Sequence, residues 1–291
     1  MAKQRYKSVK FMPASLERIE QCNEIIEAYQ AQGLRLTLRQ LYYQLVSRNV
    51  IPNVERSYKN LSGLVSDARL AGFMDWSAIE DRTRAADTPA EYENLAELVD
   101  AAVNSYRLPR WEGQRNYVEL WVEKDALAGV LAPIARRFHI TLMSNRGCSS
   151  QSAMYESSRR FRAAEVRAKP KVLLYLGDFD PSGEDMVRDV RERLETFGVA
   201  RLSVRKVALT MAQIRQYDPP PNPAKVTDPR AAKYIEEHGD ESWEVDALPP
   251  DVLTELIEAA LEPLVDQSMI DEIIEQEDRD KEILRVAASN V

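Results

Sequence analysis

Cysteine and histidine are nearly missing from this sequence, with two of each in 291 residues. Cys22 and Cys148 stand far apart with no Cys-x-x-Cys or Cys/His spacing, which argues against a disulfide framework or a zinc site. His139 and His238 have no setting that suits a Ser/His/Asp or Cys/His hydrolase. Long apolar runs are missing as well. No stretch approaches the roughly 18 residues a membrane helix needs, and the N-terminal "MAKQRYKSVKFMP" has basic residues but no apolar signal core. The chain therefore reads as cytoplasmic, with no membrane partner. Internal repeats, low-complexity tracts and a glycine-rich phosphate loop are also lacking.

What is present is an uneven charge. The net charge of -8 argues at first sight against a nucleic-acid partner. The first 85 or so residues nevertheless carry an excess of Lys and Arg, from Lys3 to Arg84, while the acids gather after residue 235 in "EEHGDESWEVD" and "DQSMIDEIIEQEDRD". A basic front end is the electrostatic footprint of a nucleic-acid binder, hidden here by an acidic tail.

Helical periodicity dominates the first third. "SLERIEQCNEIIEAYQAQG" starts at a Ser15 cap and closes at Gly33, "TLRQLYYQLVSRN" starts at Thr37 and stops before Pro52, and "RSYKNLSGLVSDARLAG" ends at Gly72. "WSAIEDRTR" follows as a short strand or turn. Three short helices and a strand-like hairpin, basic overall, fit a winged helix-turn-helix domain, and a plain helical bundle fits the pattern equally well. Residues 87–114 read as a connecting helix and linker. From residue 115 strands and helices alternate: "NYVELWV", "HITLMSN", "KVLLYLG" and "LSVRKVALT" are strands with helices between them, which predicts an α/β layer with a mostly parallel sheet. The last sixty or so residues read as acidic helices, one starting at the double proline of "LPPDVL".

Two of these strands end in acids. "YVELWV" leads to Glu123, and "KVLLYLG" leads to Asp178 and Asp180. Residues i and i+2 of an extended chain point the same way, about 7 Å apart, so the two aspartates repel unless a positive charge lies between them. Open parallel sheets bind ligands outside the carboxyl ends of their strands, and carboxylates without soft ligands suit Mg²⁺ or Mn²⁺. The sequence thus predicts a divalent-cation site at Glu123, Asp178 and Asp180.

"VEKDA" at 122–126, followed about fifty residues later by "GDFDPSG" at 177–183, resembles the Toprim domain, and the DxDPxG form is most similar to the A subunit of type IIB DNA topoisomerases and the related meiotic double-strand-break protein. In that family a winged-helix domain precedes the Toprim domain and carries a nucleophilic tyrosine in T-[LV]-R-x-x-[YF]-Y. Here the matching residues are Thr37-Leu38-Arg39-Gln40-Leu41-Tyr42-Tyr43. The resemblance implies a winged-helix domain over 1–86, a linker over 87–114 and a Toprim domain with a helical C-terminal extension over 115–291. On a helical wheel Leu41, Tyr42, Leu45 and Val46 share the apolar face with Leu38, which predicts Tyr42 buried and Tyr43 outward beside Arg39.

The implied activity is tyrosine transesterification on double-stranded DNA, assisted by Mg²⁺ at Glu123, Asp178 and Asp180. Tyr43 is the nucleophile, with Arg39 and Glu123 as its catalytic partners. The resemblance also implies a homodimer in which Tyr43 of one protomer meets the acids of the other, and leaves room for a separate ATPase subunit of the B type, since no such domain is recognisable in this sequence. Lys124, and Arg146 of "SNRGCSSQS", are candidates for phosphate contact. That loop departs from the family's usual Gly-Lys-Gly-like stretch. Arg56, Lys59 and Asn60 are candidates for positioning the DNA backbone. Two other readings stay open: a metal-dependent Toprim nuclease without a covalent intermediate, and a DNA-binding protein without catalysis.

Overall fold

The computed structural model describes residues 3–79, 89–145, 150–165 and 168–288. Helix α1 (Pro13–Gln30) starts two residues ahead of the Ser15 expected as its cap. Pro13 takes the first helical position, where its fixed φ suits the turn and its missing N–H is no loss. Helix α2 (Leu38–Ser47) starts at Thr37 as predicted. The Thr37 side chain accepts from Gln40 N at 3.1 Å and the Gln40 side chain accepts from Thr37 N at 3.0 Å, a reciprocal capping box. Helix α3 (Glu55–Leu70) ends before Gly72, whose φ of +79° ordinary side chains avoid. A 3-10 turn (Trp76–Ala78) then leads to Ile79, which pairs with Leu36 in an isolated parallel bridge. This is the turn half of the expected strand or turn; residues 80–88 lie outside the described residues. Ile19, Cys22 and Ile26 of α1, Leu41 and Leu45 of α2, and Leu61 and Val65 of α3 form the core of this helical part. Each of the Ile, Leu and Val side chains among them contributes about 1.5–3 kcal/mol by leaving water.

Helix α4 (Leu95–Ser105), capped by Asn94, leads to the α/β part. Its elements follow the predicted order: β1 (Tyr117–Val122), α5 (Asp125–Arg137), β2 (Thr141–Ser144), α6 (Gln151–Glu165), β3 (Lys171–Leu176), α7 (Pro181–Thr196) and β4 (Leu202–Ala208). The four strands form one parallel sheet in the order β2-β1-β3-β4. Val118, Leu120 and Val122 of β1, with Val172, Leu174 and Leu176 of β3, pack on one face with Leu127 and Leu131 of α5. Trp121, Leu173 and Tyr175 pack on the other with Phe161 of α6 and Val190 of α7. Burial on both faces is what makes β1 and β3 near-continuous apolar runs.

Beyond β4 the chain is more varied than the helices expected there: α8 (Met211–Tyr217), β5 (Asn222–Pro223), α9 (Ala231–His238), β6 (Glu241–Ser242), a 3-10 turn (Val245–Ala247), α10 (Pro250–Leu261) and α11 (Gln267–Ala288). β5 and β6 pair antiparallel. α10 completes the layer that holds α5. α11 packs along α4, where the fully buried Glu277 takes both Arg110 and the Leu108 N–H. Among the described residues no helix is long and apolar enough to cross a membrane.

Candidate active site

β1 and β3 are neighbours, but their following helices, α5 and α7, leave to opposite faces of the sheet. Such a reversal opens a crevice beyond the strand ends. Glu123 stands at the end of β1 and Asp178 and Asp180 at the end of β3, as the sequence predicts. The spelling of "GDFDPSG" follows from the packing there. A Cβ on Gly177 would lie 2.8 Å from Glu123 Oε2 and 2.6 Å from Tyr175 Cε1, so only glycine lets the carboxylate approach. Phe179 points the other way, into the core against Tyr234 and Trp243, and its backbone pairs with Trp243 in both directions at 2.8 and 2.9 Å. Asp180 caps α7, accepting from Gly183 N at 2.6 Å and Ser182 Oγ at 2.8 Å, with Pro181 at the first position. A Cβ on Gly183 would lie 2.2 Å from the Asp178 carbonyl oxygen.

Three positive charges answer these acids. Lys124 Nζ meets Asp178 Oδ1 at 3.1 Å, Glu244 Oε2 at 2.8 Å and Asp246 Oδ2 at 2.8 Å. Lys206 donates to the Asp178 carbonyl oxygen and to Glu184, and Lys225 lies 3.8 Å from Asp180 Oδ2. Burial opposes the Lys124 charge, but the three carboxylates outweigh it and hold its pKa above the usual lysine value. Asp178 is pushed up to about 7, by burial first and then by Glu123, against the pull of Lys124. Glu123 is also raised, chiefly by burial and further by Asp180, although its Oε2 accepts from Asp178 N at 3.1 Å.

The donor chemistry fits a hard divalent cation: the groups are all oxygen, and two of the three carboxyls resist ionising in the absence of more positive charge. The placement is looser than the sequence suggests. Asp178 Oδ1 is turned to Lys124 and to Val245 N, at 2.9 Å, and among the described residues no three His, Cys, Asp or Glu side chains are gathered closely enough to share a metal.

Tyr43 corrects the helical-wheel expectation. It is 1 % exposed, as buried as Tyr42 at 3 %, because α2 is covered on both sides, by α1 and α3 on one and by the 3-10 turn Val245–Ala247 on the other. A wheel drawn for α2 alone does not register this second cover. The ring is interior, but its oxygen reaches a polar seam, where Asn222 Nδ2 donates to it at 2.9 Å. Burial raises the phenol pKa well above the ordinary tyrosine value and the Glu244 charge adds to this, while Asn222, Arg39 and Lys124 work in the opposite direction. Arg39, one turn before Tyr43, meets Glu244 Oε2 at 3.5 Å and lies over the Tyr58 ring. In this single chain Tyr43 therefore borders its own chain's charge cluster.

The DNA candidates divide. Arg56, Lys59 and Asn60 are exposed on α3. Lys59 and Asn60 line an open groove of about 570 Å³ with Lys10 and Arg18, and Lys59 pairs with Glu55. Lys124 is not a waiting surface cation, since three acids hold it. Arg146 lies outside the described residues. Asn222, Glu244 and Asp246 were missed by the sequence reading, which counted the acids of "EEHGDESWEVD" only towards the acidity of the C-terminal region. The alternation Trp243-Glu244-Val245-Asp246 was the available signal, since it puts Trp243 and Val245 in the core and both acids on the side of Lys124. The chain matches no protein-family model and no curated protein.

Proposed function

We propose that this protein is a DNA-cleaving transesterase of the type IIB topoisomerase A-subunit kind, with a winged-helix module over 1–86 and a Toprim module over 115–291. The observation that carries this reading is the convergence of Tyr43 oxygen, Arg39 and Lys124 with Asp178 at one seam between the two modules. In the proposed reaction the Tyr43 oxygen attacks a DNA phosphorus, and the bond from phosphorus to the 3′ oxygen breaks. The phenolic proton passes to a base, and the departing 3′ oxygen takes up a proton. The product is a 5′-phosphotyrosyl link and a 3′-hydroxyl. Arg39 and Asn222 favour the phenolate that attack requires, against the burial that opposes it. Mg²⁺ or Mn²⁺ held by Glu123, Asp178 and Asp180 would neutralise phosphate charge. The exposed Arg56, Lys59 and Asn60 would position the duplex. A homodimer would cut both strands, and strand passage would call on a separate ATPase subunit.

The burial of Tyr43 favours a second reading, a Toprim nuclease that uses water in place of the phenol. One assay separates the two. Purified protein is incubated with supercoiled plasmid and Mg²⁺ or Mn²⁺, denatured rapidly, and probed for protein-linked 5′ ends. The transesterase gives a link that Tyr43→Phe abolishes. Free 5′-phosphates with undiminished cutting by Tyr43→Phe select the nuclease, and no Glu123-dependent cutting leaves DNA binding alone.

A further inference from the structure

Glu244 holds an unusual position. Its carboxylate lies between Lys124 Nζ at 2.8 Å and Arg39 Nε at 3.5 Å, on the segment that also brings Asn222 to the Tyr43 oxygen. Its side chain is about a quarter exposed (24 %), as is that of Lys124, whereas Tyr43 is closed off. Glu244 is thus the anion on the solvent side of the phenol. A carboxylate and a phosphodiester present similar paired oxygens to a guanidinium and an ammonium group. Lys124 keeps Asp178 and Asp246 as partners if Glu244 leaves, and so stays in place. Arg39 keeps its place over the Tyr58 ring.

We propose that the seat between Arg39 and Lys124 is a binding site for a DNA phosphodiester, occupied at rest by the Glu244 carboxylate. DNA displaces Glu244 from this seat, and a phosphate held there lies beside the Tyr43 oxygen. Glu244 is then a built-in competitor that keeps the phenol covered until a duplex is bound. The inference rests on the transesterase reading for what the phosphate does next, but the exchange of anions can be tested without chemistry.

The test measures binding of a short fluorescent duplex, without divalent metal, to Tyr43→Phe, Tyr43→Phe/Glu244→Gln and Tyr43→Phe/Arg39→Gln/Glu244→Gln, each checked for folding by thermal denaturation. Glu244→Gln is expected to tighten binding about tenfold at low salt and to steepen its salt dependence by about one phosphate contact, and Arg39→Gln is expected to remove the gain. If the Gln variant does not fold, Glu244→Asp, which shortens the reach to Arg39, is expected to shift binding in the same direction by less. Unchanged or weaker binding by a folded Glu244 variant, or a gain that survives loss of Arg39, overturns the proposal. A gain of this kind in a protein whose wild type makes no covalent DNA link would instead retire the transesterase reading and leave the anion seat standing. A wild-type covalent link without the gain would do the reverse.

Discussion

Strand β1 and the residue just beyond it supply two glutamates four residues apart, and their surroundings are opposite. Glu119 is fully buried, and its oxygens accept four donors: Tyr117 OH at 2.8 Å, Trp121 Nε1 at 2.8 Å, and Arg160 through Nε at 2.8 Å and Nη2 at 3.0 Å. Glu123, just past the strand end, takes one backbone N–H and faces the charges of Asp178 and Asp180. Both carboxylates are largely removed from water, but only the first is compensated. A buried charge with a complete set of donors is a structural part; one that its surroundings discourage from ionising, beside others in the same state, is poised for something further.

Substitutions can break this contrast, the largest effect coming from the loop that aligns the strand-end acids. Gly183→Ala forces the Asp178 backbone to move and is expected to cost about 3 kcal/mol, with DNA cutting lost even at temperatures where the variant is folded; denaturation and plasmid assays read the two effects. Glu119→Gln leaves Arg160 and Trp121 competing for one carbonyl oxygen and is expected to cost about 2 kcal/mol, with Mg²⁺-dependent cutting retained in proportion to the folded fraction. Glu123→Gln is expected to do the opposite, changing stability by less than about 1 kcal/mol and abolishing cutting. Equal stability losses in the two glutamine variants would erase the distinction between them.

The smallest effect is a pH dependence. Asp178 has its folded pKa raised to about 7 from an ordinary 3.8, so the folded chain binds this proton more tightly than the unfolded chain. Its contribution favours folding fully below the ordinary value and is lost as pH rises through the folded one. In chelator, the denaturation midpoint of Asp178→Asn should therefore gain on wild type between pH 5 and pH 8. A difference in midpoint that stays constant, or a variant that falls further behind wild type as pH rises, would mean that Lys124 compensates this carboxylate as completely as Arg160 compensates Glu119.

What could be read from the sequence was what short stretches determine. Thr37 capped its helix, the alternation after residue 115 gave the parallel strands, and acids after β1 and β3 marked the crevice, because each depends on neighbours within a few residues. Tyr43 was misplaced because its cover comes from residues 245–247, two hundred positions away. Asn222 was invisible for the same reason, since β5 and β6 are two residues each, too short to show a period, and the one local sign of Glu244 was the alternation over residues 243–246.

The two neighbouring tyrosines of α2 share one fastening. Tyr42 OH donates to Asn53 Oδ1 at 2.9 Å, Asn53 Nδ2 donates to the Pro221 carbonyl at 2.6 Å and to Asn222 Oδ1 at 3.4 Å, and Asn222 returns a donor to Tyr43. The first asparagine belongs to the helical front and the second to the hairpin at the rear, so the linkage spans the seam like a buckle with interlocked prongs. Such a buckle does not loosen by degrees. Parting the halves frees the Tyr43 oxygen and the Asn53 amide together while Tyr42 stays bonded to Asn53 on the front side, and the exposure of Tyr43 should be a discrete event whose frequency is tuned from Asn53, a residue that does not touch the Tyr43 oxygen.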